Sequence, residues 1–261
     1  MWNFSRLYFA DQLLFQLDLP DDLLKLHATS KVGKKAKKWR KLRLVLHLWN
    51  VIPISNLSFS DRLSLGENEH QDFKEAITSE RKIAKTIASL ANTKGGTIWV
   101  GVRDNRTFRS IDPLGEQHRL EQAAEHFCDP PLELTFKVHR VGTFRILEAN
   151  VPEAIHKPIY SLRDDDQWMV YIRVKDESLL ATKTMVEVLQ RQSSDQPITI
   201  ELGSKEQFLL DYLKEHPHIT LKQYSDLMNL GLRRARRIVV DLLAAGLIRV
   251  KYKDKEEYYC R

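Results

Sequence analysis

"LANTKGGTIWVGVRD" (Leu90–Asp104) decides the fold. A helical repeat runs into it: Ile83, Ile87 and Leu90 recur at helical spacing, with Ala84, Ala88 and Ala91 beside them. The repeat stops near Asn92, and Gly95-Gly96 follows. Beyond the glycines, Ile98, Val100 and Val102 alternate with Thr97, Trp99 and Gly101, which is the period of a strand. The pair is therefore read as a helix-to-strand reversal at φ > 0, where a side chain would cost energy. A Walker-type phosphate loop leads from a strand into a helix and ends in GK[ST]. Here the element order is the opposite and Lys94 precedes the glycines, so that class of nucleotide site is not supported.

Outward from this stretch, residues 117–127 read as a helix through Leu120, Ala123, Ala124 and Phe127, ended by Asp129-Pro130-Pro131. "LELTFKVHRV" and "FRILEANV" are alternating runs joined at Gly142-Thr143, a hairpin. Trp168–Val174 is a further strand, and a short helix runs from Thr182 to about Arg191. Helices and hairpins in this order predict an α+β domain with a mixed sheet over residues 61–192. A polar linker, residues 193–203, precedes a second pattern over 204–261. There Ser204-x-x-Gln207 and Thr220-x-x-Gln223 read as capping boxes, and Asn229-Leu230-Gly231 as a turn. A third helix runs from Leu232 to Ala245 with Gly246 at its end, and two short strands flank Lys253-Asp254-Lys255. Three helices and a hairpin are the layout of a small winged helix-turn-helix domain.

The net charge of +6 is uneven. Residues 1–60 hold 10 basic against 4 acidic side chains, 61–203 hold 19 against 23, and 204–261 hold 12 against 8. The ends are basic and the middle is not, which points to a polyanion partner for the ends. Residues 1–60, with the run Lys31–Arg43, are expected to be a basic extension, poorly ordered on its own. The two cysteines, Cys128 and Cys260, are far apart, and no Cys/His spacing matches a structural zinc site. No run reaches the roughly 18 apolar residues of a membrane helix, and the N-terminus lacks the pattern of a signal peptide. A cytoplasmic protein without a membrane partner is expected.

The third helix of the C-terminal pattern carries Arg233, Arg234, Arg236 and Arg237 in its first half. That placement opposes the helix dipole, which favours acidic residues there. It suits a helix whose N-terminus enters a DNA groove, because arginine reads guanine edges and grips phosphates. Lys251 and Lys253 on the wing, with Lys255 at its tip, would hold the adjacent backbone. Lys74, Lys94, Arg103 and Arg106 form a second, local basic group. In the middle region Glu67, Glu69, Asp72 and Glu75 surround Lys74, and Asp104 closes the strand after the glycines. Converging carboxylates can hold a hard divalent ion, although acidic residues before a helix are also ordinary dipole chemistry.

Glu67, "DFKEA" (Asp72–Ala76), "IASLANTKGGTIWVGVRD" (Ile87–Asp104), "KPIY" (Lys157–Tyr160) and "YIRV" (Tyr171–Val174), in this order, resemble the Schlafen-type AlbA-like domain over residues 62–185. The resemblance implies a DNA-binding transcriptional regulator, since bacterial members often carry a C-terminal winged helix. Family labels also imply ATP. Vertebrate members include metal-dependent ribonucleases of tRNA and rRNA, whose acidic triad is similar to Glu67, Asp72 and Asp104, with Asp72 in place of the more usual glutamate. Those nucleases hold zinc on Cys/His ligands and have a doubled core, whereas this chain has Cys128 with His126 nearby and one copy of the domain. A homodimer would supply a second copy. The expectation is a DNA-binding regulator rather than an enzyme. The alternatives are an endoribonuclease using Glu67, Asp72 and Asp104 with Mg²⁺ or Mn²⁺ on structured RNA, and a protein-interaction module.

Overall fold

The computed structural model describes residues 58–194 and 200–261. The basic extension expected over residues 1–60 lies, up to residue 57, outside the described residues. The chain divides into two units, residues 1–62 and 63–261. The first described element is a six-residue helix, α1 (Phe59–Ser64).

From there the order is β1 (Gln71–Lys74), α2 (Glu80–Asn92), β2 (Gly96–Val100), α3 (Pro113–His126), β3 (Cys128–Asp129), β4 (Thr135–Val141), β5 (Phe144–Val151), β6 (Tyr160–Leu162), β7 (Trp168–Val174), β8 (Glu177–Leu180) and α4 (Lys183–Gln192). Two four-stranded sheets result, ordered β1-β2-β5-β4 and β3-β6-β7-β8. β1 runs parallel to β2, and every other pairing is antiparallel. This is the mixed α+β architecture expected from the order of periodicities.

α2 lies between the sheets, and nine of its 13 residues are buried. Its alanines allow close approach on one side, where Ile83, Ile87 and Leu90 pack with Leu120, Ala123 and Ala124 of α3 and with Ile98, Val100, Leu147 and Ala149 of the first sheet. Its small polar side chains face the second sheet. The Asn92 amide donates to the carbonyls of Ile159 and Tyr171, each at 2.8 Å, and its oxygen accepts from Ile159 N at 2.7 Å. The Thr93 hydroxyl accepts from Arg173 N at 2.9 Å and donates to Ser89 O at 2.8 Å. Asn92 and Thr93 thus satisfy backbone groups that no ladder or helix turn reaches.

The glycine pair does two different things. Gly95 has φ +66, as the reversal requires, and a Cβ there would sit 2.7 Å from Val151 O and Glu153 N. Gly96 is not in the left-handed region. A Cβ on it would meet the His70 carbonyl oxygen at 2.6 Å, because β1 approaches here to start its ladder with β2. The expectation of positive φ therefore holds for Gly95, and close packing accounts for Gly96.

β7 divides the structure by alternation. Tyr171 and Arg173 point towards α2 and β1. Val170 and Ile172 pack on the other side with Leu189 of α4. α4 starts at Thr182, whose hydroxyl accepts from Met185 N at 3.2 Å. Beyond it come α5 (Ser204–Glu215), α6 (Leu221–Leu227), α7 (Leu232–Ala244) and the antiparallel pair β9 (Arg249–Lys253) and β10 (Glu256–Cys260). Thr220 and Gln223 form the expected capping box. Ser204 does not: Gly203 occupies the cap of α5 without a side-chain bond, and Ser204 is already helical. α3 likewise starts earlier than its apolar repeat, at Pro113, because Asp112 accepts from Leu114 N and Gly115 N. No described helix is long and apolar enough to cross a membrane.

Candidate nucleic-acid interface

Helix α7 has two faces. Ala235, Ile238, Val239, Leu242 and Leu243 pack into the C-terminal core with Leu209, Ile219, Tyr224 and Tyr259. Arg233, Arg236, Arg237, Val240 and Asp241 recur at i, i+3, i+4, i+7 and i+8, so they share the face opposite that core. Arg233, Arg234 and Arg237 are exposed and Arg236 is half-buried. Among the described residues none of these four arginines forms an ion pair. Arg236 Nε is buried without a hydrogen-bond partner. Lys251 and Lys253 alternate on the exposed side of β9, and Asp254 and Lys255 turn the hairpin with φ of 51 and 66.

The face of α7 opposite its core is partly covered, with Arg233 and Arg237 left exposed. α4 lies along it. Val188 of α4 belongs to the same apolar cluster as Val239, Val240 and Leu243, and Arg191 pairs with Asp241 at 3.5 Å. Towards the start of both helices the contact opens into a hollow of about 450 Å³ lined by Lys183, Glu187, Arg233, Arg236 and Arg237. Four cations face one carboxylate there. The hairpin is tied to α4 as well. Glu257 of β10 accepts from the hydroxyls of Thr182, Tyr252 and Tyr259, and burial together with that carboxylate pushes both tyrosine hydroxyls up. A buried valine or leucine is worth about 1.5–3 kcal/mol. Val188 and Val240, with Leu189 against Tyr252, therefore fix α4 to the C-terminal residues. None of Lys183, Glu187, Arg191 or Glu257 stood out in the sequence, since their role depends on which helix packs against which.

The carboxylates of the middle region have other partners. Asp72 is 3% exposed; its Oδ1 lies 2.9 Å from Arg173 and its other oxygen pairs with Lys74. Arg173, 4% exposed, also donates to Asn68 O and Gln71 O, each at 3.2 Å. Glu67 accepts from Phe73 N at 2.9 Å. Its pKa is raised, first by burial and then by the charges of Asp72 and Asp104, so the three carboxylates do lie within electrostatic reach. Asp104 itself is exposed. Among the described residues no three His, Cys, Asp or Glu side chains converge on a metal-holding geometry. Within the trio of the alternative reading, the Asp72 carboxylate is paired with the Arg173 guanidinium and the Lys74 ammonium. Arg173 was missed as its partner, although a charge inside the apolar run of β7 is the signal of a buried pair. Glu75 holds Arg103 and Arg109, each at 3.1 Å. Lys74 is half-exposed and donates to Phe73 O at 2.9 Å, and Lys94 is exposed. Burial pushes the Cys128 thiol up to about 12, and Cys128 donates to Ala84 O rather than meeting His126.

These features define a two-sheet α+β domain built around one buried helix. Residues 67–182 match the family model Schlafen, AlbA_2, so this segment is similar to that family. Among solved structures it is similar to the DIP2311 protein from Corynebacterium diphtheriae, at 22% identity and a TM-score of 0.38, over 52% of this chain and 30% of that one. It is also similar to the N-terminal domain of a RecG-related protein from Nitrosomonas europaea, at 22% identity and a TM-score of 0.35, over 54% of this chain and 91% of that domain. No curated protein matches the sequence.

Proposed function

We propose that the chain binds nucleic acid, DNA in the first place, and acts as a regulator of the Schlafen AlbA-like type. In this reading residues 204–261 are a winged helix-turn-helix module and the family domain positions it. The observation that carries the reading is the set of exposed arginines at the start of α7 with no ion-pair partner among the described residues. A helix that served packing alone would have no use for four cations at its positive end. Lys251 and Lys253 extend the basic surface onto the hairpin.

The test is fluorescence anisotropy with labelled duplex DNA and structured RNA over a salt series. Binding should weaken linearly on a log–log salt plot, and Arg233→Gln or Arg234→Gln should each flatten the slope by about one. Absence of binding to either probe at low salt refutes the reading. Metal-dependent RNA cleavage lost in Asp104→Ala would replace it with the nuclease alternative.

A further inference from the structure

The reading above leaves open how α7 meets its ligand. A recognition helix enters a DNA major groove with the face opposite its own core. In this chain that face, Arg233-Arg236-Arg237-Val240-Asp241, lies along α4. The major groove is about 12 Å wide, and one helix with its side chains already measures about 10–12 Å. Two helices packed at about 8–10 Å between axes span close to 20 Å and do not fit. α4 is not a loosely held cover either. Val188 sits inside the C-terminal core, Arg191 pairs with Asp241, and Glu257 of the hairpin accepts from Thr182 at the cap of α4.

The arginines nevertheless remain reachable. Arg233 and Arg237 are exposed, and with Arg236 and Lys183 they line the open end of the α4/α7 groove. Arg236 adds a buried Nε that no described group accepts from. Glu187 is the one acidic side chain in this lining. The groove therefore offers several converging donors to a chain of phosphates, while the width of the α4/α7 pair keeps them out of reach of the base edges.

We infer that the α4/α7 groove is a phosphodiester-backbone site. The protein binds duplexes through Lys183, Arg233, Arg236 and Arg237 with α4 in place, and does so without reading base sequence. This rests on the nucleic-acid reading above and replaces the expectation that α7 reads guanine edges. The site is shape- and charge-selective, so unrelated duplexes should compete equally.

The experiment uses the full chain. In Arg191→Cys/Asp241→Cys, a bis-maleimide pins α4 to α7 at the end away from the four cations. Cys128 and Cys260 are 2% and 3% exposed and leave the introduced thiols as the reactive pair. Short labelled duplexes of unrelated sequence, and a randomised duplex pool, are titrated before and after pinning. The inference expects pinned and unpinned protein to bind alike, and all sequences to bind within a few-fold of each other. Arg236→Gln and Arg237→Gln should each lower the salt slope by about one for every sequence. Loss of binding on pinning alone overturns it, because α7 must then leave α4 to bind. Recovery from the pool of a sequence preferred by about 10³ or more, the range of base readout, also overturns it. If the unpinned protein binds no duplex at all, the nucleic-acid reading fails and this inference falls with it, a result distinct from loss on pinning.

Discussion

Replacing Arg173 by methionine tests whether Asp72 is a structural ion-pair partner. The two side chains are buried, with Oδ1 2.9 Å from the guanidinium. Arg173→Met keeps the apolar stem and removes the charge, which leaves the Asp72 carboxylate with Lys74 alone. Breaking one side of a buried pair costs about 3–5 kcal/mol. Lys74 is half-exposed and still compensates part of the charge, so the lower end, about 3 kcal/mol, is expected. Asp72→Asn should cost less, about 1–3 kcal/mol, because Arg173 still donates to Asn68 O and Gln71 O. The double variant should be more stable than the sum of the two losses by about 1–3 kcal/mol. Guanidinium unfolding followed by circular dichroism measures all four proteins, with the slope checked for constancy. At about 2–4 °C per kcal/mol, Arg173→Met should lower Tm by roughly 6–12 °C. Additive losses, or an Arg173→Met protein within about 1 kcal/mol of wild type, would show that the pair contributes little.

Two further outcomes follow from the geometry. Gly96→Ala should destabilise by about 1–3 kcal/mol in thermal unfolding, since its Cβ meets the His70 carbonyl at 2.6 Å and backbone, not a rotamer, has to move. Glu67→Gln should be more stable than wild type at neutral pH. The folded protein raises this carboxyl above its ordinary value of 4.5, so its charged form opposes folding, and the difference should close as pH falls below that value. An unchanged difference at low pH would place the cause elsewhere.

The helix–glycine–strand reversal, the β4–β5 hairpin, the capping box at Thr220 and the arginine-rich helix were legible because each is a local pattern. β1 was not. It is four residues long, set among acids, and defined only by lying parallel to β2. β6 and β8, of three and four residues, are too short for periodicity to register. At the candidate site the identity of the cations was visible, but their surroundings were not. Nothing local to Lys183–Gln192 says that its Val188 belongs to the core of residues beyond the polar stretch. The pairing of Asp72 was hidden for the same reason: Asp72 and Arg173 are about a hundred positions apart in sequence and meet only in the fold.

Val188 also limits how this chain can be recombined. The polar stretch 193–203 looks like the place to cut when exchanging the C-terminal part for another. A cut there would strip α7 and the hairpin of Val188, Arg191 and the Thr182 hydroxyl, leaving Val240, Asp241 and Glu257 facing water. A fusion or transplant that begins at Thr182 keeps these contacts, at the cost of exposing Leu189 where Val170 and Ile172 had packed against it.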